Sequence, residues 1–196
     1  DTLITTNTST FALASLFPEE AASWRERFFA THFFNPPRAL LLTEVACLPE
    51  ADRARFDWFV RFLERRLGRR ALVVRDSPGF VANRFGIYSL ALAIHLTGEI
   101  GLTVEEVDAL TGPLLGRPRS ATFRTIDLTG LDILVLGTGS LQESTGDDYS
   151  LPAWVRRLFD EGHLGDKTGG GFFRRDGDRQ LSLDVETGTY RPYREP

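Results

Sequence analysis

Apolar residues along this chain follow two different rhythms. Up to about residue 75, short apolar runs alternate with helical periodicity. Leu3–Thr6 predicts a strand ending in the polar turn Asn7-Thr8-Ser9-Thr10, and Phe11–Leu16 predicts a short helix. Arg27–Phe34 and Leu40–Cys47 are strand-like runs, broken by Asn35-Pro36-Pro37. After Pro49, the residues Phe56, Phe59, Val60, Leu63 and Leu67 fall on one face of a 3.6-period helix. Arg61, Glu64, Arg65 and Arg66 occupy the other face, and Gly68 supplies the stop. Ala71–Val74 predicts a further strand, so this part is α/β in character.

The rhythm changes at Asp76-Ser77-Pro78-Gly79. Phe80–Leu96 is apolar on most sides and predicts a buried helix. Thr103-Val104-Glu105-Glu106 has capping-box spacing and opens a second helix. Thr125 to about Leu141 predicts a third. Ser150-Leu151-Pro152 predicts the cap and first turn of a fourth, which Gly162 ends. Asp176-Gly177 and Glu186-Thr187-Gly188 mark turns of a small β tail. The expected division is residues 1–75, the end of a sheet domain, and residues 76–196, a mostly helical domain with a short β tail.

Composition narrows the class. With 196 residues, 42% hydrophobic and 26% charged, the chain can bury an ordinary globular core without covalent staples. A formal charge of −4 provides no footprint for nucleic acid. Cys47 is the single cysteine and cannot close an internal disulfide. No run approaches the length of a membrane span and no signal peptide opens the chain, so the expected location is cytoplasmic. The chain starts at Asp1, holds no methionine, and begins as if inside a domain. It therefore reads as a piece of a longer protein.

Candidate chemistry starts with His32, near the end of an apolar strand, and Glu44, twelve positions later. Imidazole titrates near neutrality and suits a general base. If the two strands lie side by side, the carboxylate accepts from one ring nitrogen and leaves the other available. A structural core histidine is the competing interpretation. For Ser9, residue type and position favour the N-cap of the Phe11–Leu16 helix. Asn35 before proline is ordinarily a turn former. Asn83 sits unfavourably in an apolar helix start and needs partners there. Lys167 beside Gly169-Gly170-Gly171 lacks phosphate-loop spacing, and a solvated lysine is the plain alternative. The run from Asp132 to Gly139 imitates a dinucleotide fingerprint, but its third glycine position is Gln142, so it predicts a helix ending in a loop. His95 and His163 have no metal-ligand spacing with Cys47, and no metal site is expected.

Five segments together resemble the 3-hydroxyacyl-CoA dehydrogenase family: Thr6–Ser9; His32–Pro36 with Glu44; Asp76–Arg84; Gly116–Ser120 followed by Asp127–Asp132; and Leu164–Phe172. The resemblance covers about residues 3–173. The stretch Gly116–Asp132 is most similar to bacterial enzymes fused to an enoyl-CoA hydratase domain. It implies an α/β remnant of a Rossmann-type NAD-binding domain followed by the family's helical C-terminal domain. The implied reaction is oxidation of (S)-3-hydroxyacyl-CoA to 3-oxoacyl-CoA with NAD, in the β-oxidation of fatty acids.

By that resemblance His32, Glu44 and Asn83 are catalytic. Ser9 and Asn83 bind substrate, Asn7 shapes the turn, and Asn35, Lys167 and Ser9 border the cofactor. The implied partners are an acyl-CoA, a second copy through the helical domain, and possibly a fused hydratase domain. The glycine-rich turn that grips pyrophosphate and the acidic residue that reads the ribose are absent from the sequence. The piece alone is thus expected to be inactive. Two alternatives stand beside the enzyme: a non-catalytic helical dimerisation fragment, and a dehydrogenase of the same fold acting on another hydroxy acid.

Overall fold

A computed structural model describes residues 2–9, 11–16 and 22–196; Thr10, the last residue of the expected polar turn, lies outside them. The chain divides into two compact units, residues 1–84 and 85–196.

The first unit is built on a four-stranded sheet of β1 (Ile4–Thr6), β2 (Phe28–Phe33), β3 (Leu42–Cys47) and β4 (Arg70–Val73), in that spatial order. β1 and β2 are parallel, β2 and β3 antiparallel, and β3 and β4 parallel. A single helical turn, α1 (Ala22–Arg25), precedes β2, and α2 (Arg53–Leu67) crosses from β3 to β4. Asp52 caps the start of α2 by accepting from Arg55 N–H at 3.1 Å, and Gly68 ends it at φ 64°.

Both faces of the sheet are covered, as alternation along β2 requires. Phe29 and Val45 pack against Phe56, Phe59 and Leu63 of α2. The Phe29 and Phe56 rings meet edge to face at 5.2 Å. Losing such a ring from a core costs roughly 3–5 kcal/mol. Leu67, expected on the buried face, is exposed beside the Gly68 cap. On the opposite face Phe28, Ala30 and Ala46 pack with Leu13, Leu48 and Phe80. His32 and Glu44 follow in the same alternation, so they project to this second face.

The short helix after the polar turn is a 3₁₀ turn, Leu13–Ser15, and Ser9 is not its cap. The carboxylate of Asp76 takes that role, accepting from Leu13 N–H at 2.7 Å and Ala14 N–H at 3.2 Å. A cap from more than sixty residues away leaves no local sequence signal. Asp76→Ala is expected to cost about 1 kcal/mol, read as a lower urea midpoint; an unchanged midpoint would show that water replaces the cap without loss.

α3 (Ala82–Ile100) starts in the first unit and runs on into the second. It is apolar but not fully buried: Phe85, Tyr88, Leu92, Leu96 and Ile100 expose an apolar stripe, with Phe85 at 74%. The second unit continues with α4 (Val104–Thr111), α5 (Phe123–Thr129), α6 (Leu131–Thr145) and α7 (Ala153–Asp160). β5 (Phe173–Asp176), β6 (Arg179–Leu183) and β7 (Tyr190–Pro192) form an antiparallel tail. One core joins Ile94, Val104, Phe123, Ile126, Leu131, Val155 and Phe172. The capping box forms as expected, with Thr103 and Glu106 bonding each other's backbone N–H.

Two expectations differ here. The single helix from Thr125 is two helices, because Gly130 adopts φ 107° between them. Ser150 does not cap α7; its carbonyl accepts from His95 Nε2 at 2.9 Å, and Pro152 stands at the cap position without a side-chain bond.

Candidate functional site

The antiparallel register sets His32 directly opposite Glu44, and cross-strand partners in such a pair share one face of the sheet. The twelve-residue separation is therefore a hairpin distance. His32 Nδ1 lies 2.8 Å from Glu44 Oε2. Glu44 is fully buried and His32 is 8% exposed. The His32 ring stands edge to face against Phe34 at 4.6 Å, with Phe80 at 6.2 Å. Among the described residues nothing hydrogen-bonds its Nε2.

A buried carboxylate needs donors on both oxygens. Glu44 Oε1 accepts from Val81 N–H at 3.0 Å and Ala82 N–H at 2.8 Å. These are unsatisfied donors at the start of α3, where the helix dipole also favours a negative charge. The chain reaches that position through Gly79 at φ 75° and Phe80 at φ 44°. For a phenylalanine, positive φ is a strained conformation; burial of its ring in the sheet core holds it there. Burial alone would push the Glu44 carboxyl up. The bonds from His32, Ala82 and Val81, with the charge of His32, outweigh it and hold the group below its ordinary value. Glu44 is thus an anion fixed at both ends, able to orient an imidazole and to stabilise an imidazolium.

In the first turn of α3, Asn83 Nδ2 donates to Ser9 Oγ at 2.8 Å. Ser9 is fixed in turn by its carbonyl, which accepts from Gly79 N–H at 2.7 Å. Asn7 accepts from Phe33 N–H at 2.9 Å, tying the turn after β1 to the end of β2. Asn35 follows β2 in an exposed loop and makes a cis peptide bond with Pro36. Sequence reasoning spread Ser9, then His32, Asn35 and Glu44, then Asn83 over three segments; the first unit holds all five. Lys167 belongs to the second unit, where it forms an ion pair with Asp132.

The glycines around Lys167 have a packing reason. Asp127 accepts from Phe172 N–H at 2.9 Å and Phe173 N–H at 2.8 Å, and a Cβ at Gly165 or Gly171 would collide with Asp127. What sequence reasoning missed is the second hold on Glu44 and the Asp76 cap. Both holds come from segments far along the chain, so neither leaves a local sequence signal. Among the described residues no group of three or more His, Cys, Asp or Glu side chains could hold a metal ion. No described helix is long and apolar enough to cross a membrane.

The chain thus combines an α/β sheet unit carrying a buried histidine–carboxylate pair with a helical unit, and comparison with known proteins gives the class. Residues 1–77 match the family described as 3-hydroxyacyl-CoA dehydrogenase, NAD binding domain, and residues 79–175 the family described as 3-hydroxyacyl-CoA dehydrogenase, C-terminal domain. The chain belongs to the 3-hydroxyacyl-CoA dehydrogenase family. It is 40% identical over 180 residues to a probable 3-hydroxyacyl-CoA dehydrogenase of Deinococcus radiodurans, covering 91% of this chain and 52% of the relative. It is 34% identical over 192 residues to a probable 3-hydroxyacyl-CoA dehydrogenase of Bacillus subtilis, covering 96% of this chain and 24% of the relative. The crystal structure of (S)-3-hydroxybutyryl-CoA dehydrogenase from Ralstonia eutropha superposes with a TM-score of 0.74 at 28% identity, over 86% of this chain and 59% of that one. The chain thus spans from about a quarter to just over half the length of these proteins.

Proposed function

We propose that the full-length protein carrying this chain oxidises (S)-3-hydroxyacyl-CoA to 3-oxoacyl-CoA in the β-oxidation of fatty acids. The observation that carries this reading is the buried His32–Glu44 pair, with Glu44 held from its far side by the start of α3. NAD, when bound, supplies the hydride acceptor. Asn35 fits its nicotinamide end, being an exposed amide three residues beyond His32. Ser9 borders the same end, and Lys167 is the candidate contact from the helical part. The pyrophosphate turn is not in this sequence, so the 196 residues alone are expected not to turn over.

In this mechanism His32 Nε2 takes the proton of the 3-hydroxyl. Glu44 keeps the other proton on Nδ1 and stabilises the imidazolium that forms. Asn83 and Ser9 hold the oxygenated carbon in place, which is a positioning contribution. Residues 1–75 serve as the end of the cofactor domain, and residues 76–196 supply substrate contacts and dimerisation. The test is NADH formation by the full-length protein on 3-hydroxyacyl-CoA thioesters of short and long chain, against free 3-hydroxy acids. Turnover of the thioesters is expected; turnover of the free acids alone would replace this reading with that of a dehydrogenase for another hydroxy acid.

The apolar stripe of α3 supports a homodimer through the helical unit. Five large side chains exposed at helical spacing are more than a monomer's surface ordinarily carries in one place. Phe85→Asp, at the most exposed position of the stripe, is expected to convert a dimer into a monomer with little loss of stability. Light scattering that gives one mass for both proteins would remove this interface.

A further inference from the structure

Residues 35–41 carry the chain from β2 into β3, and all seven are exposed, so core packing does not hold them. Internally they make one tight turn, with Ala39 and Leu40 N–H donating to Pro36 O. A strong hold comes from Arg69, a residue outside every motif considered above. At the end of α2 the N–H groups of Gly68 and Arg69 both donate to Leu63 O. This turn starts β4 beside Leu42, which pairs with Arg70, and it directs Arg69 across the mouth of the hairpin.

There Arg69 Nη1 donates to the carbonyl of Pro37 and, at 3.0 Å, to that of Leu40. Its guanidinium lies 5.2 Å from the ring centroid of Phe33, the residue after His32. One charged group therefore holds both limbs of the loop and the end of the strand that carries His32. Hydrogen bonds from a charged donor are roughly twice as strong as neutral ones, and a planar guanidinium can stack and donate at once, which an ammonium does less well.

We propose that Arg69 is a positioning residue: it clamps the 35–41 loop and thereby sets Asn35 relative to His32. Its consequence for turnover rests on the dehydrogenase reading above; the clamp itself does not. In this chain, Arg69→Ala is expected to speed amide exchange of Ala39 and Leu40 by about 10-fold or more. Arg70→Ala, at the exposed neighbour, should leave it unchanged. In the full-length protein, Arg69→Ala should lower kcat/KM for NAD roughly 10-fold or more, since small misplacements of a reacting partner are costly. The pH profile should stay where it was, because the His32–Glu44 pair is untouched, and Arg69→Lys, which keeps a charged donor but stacks less well on Phe33, should recover only part of the loss. Unchanged exchange in Arg69→Ala overturns the clamp. Faster exchange with unchanged kinetics overturns its positioning role. A wild-type protein without any dehydrogenase turnover overturns the dehydrogenase reading and Asn35's part in it, while exchange still decides the clamp.

Discussion

Replacing His32 with alanine in the full-length protein is expected to lower kcat by about 10²–10⁴-fold, the usual range for a lost general base, with NAD affinity nearly unchanged. Glu44→Gln should come close to the same loss for a reason specific to this fold. A glutamine at this position has one oxygen and one NH₂ group. The N–H groups of Val81 and Ala82 require the oxygen on their side. The NH₂ then faces His32 Nδ1, which must accept, so the ring proton moves to Nε2 and the base is blocked. Stopped-flow or steady-state rates of NADH formation decide the matter; rates within a few-fold of wild type for His32→Ala would remove the dyad from the mechanism. Stability carries a second signature. The folded pKa of Glu44 lies below its ordinary value of 4.5. Its ionised form therefore contributes stability that is fully present above about pH 4.5 and lost as the pH falls through the lower folded value. The glutamine variant should lack this acid-side component.

The second large effect is expected at Asp127. Its carboxylate is the buried acceptor for Phe172 and Phe173 N–H, and Gly165 and Gly171 pack against it. Asp127→Ala strands two buried donors, each costing about 1–3 kcal/mol, offset in part because a carboxylate is no longer buried. A net loss of about 2 kcal/mol or more at neutral pH is expected from urea unfolding. Burial raises the Asp127 pKa from 3.8 to about 6, against the pull of the Phe172 and Phe173 bonds and the Arg124 charge. Between these two values the folded chain binds more protons than the unfolded one. Stability should consequently fall as pH rises from about 4 to about 6, by on the order of 3 kcal/mol, and then level off. The alanine variant should lose that slope. An unaltered slope would assign the pH dependence to other groups.

Local rules made parts of this architecture legible in the sequence. The 3.6-residue spacing of Phe56, Phe59 and Leu63 with Gly68 behind it marked α2, and Thr103 with Glu106 marked the start of α4. The same rules failed where a partner lies far along the chain. Ser9 had the right residue type and position for a cap, yet Asp76 does the capping while Ser9 bonds Asn83. Gly130 sat inside a run with helical character, but its extended, positive-φ backbone separates α5 from α6. An apolar α3 suggested burial, whereas one stripe of it is left exposed.

Sequence by itself determined the strand–helix alternation of the first part and the helical second part, and offered His32 and Glu44 as partners on the condition that their strands lie side by side. These are properties of periodicity, capping and turn chemistry, which act within a few residues or one hairpin. Tertiary structure alone decided that Glu44 also holds the start of α3, that Asn83 meets Ser9 across 74 positions, and that Asp127 anchors Phe172 and Phe173. A buried carboxylate must find donors for both oxygens, and folding supplies them from whichever segment passes close by. That choice is made by the path of the backbone in space, and residue type and spacing do not encode it locally.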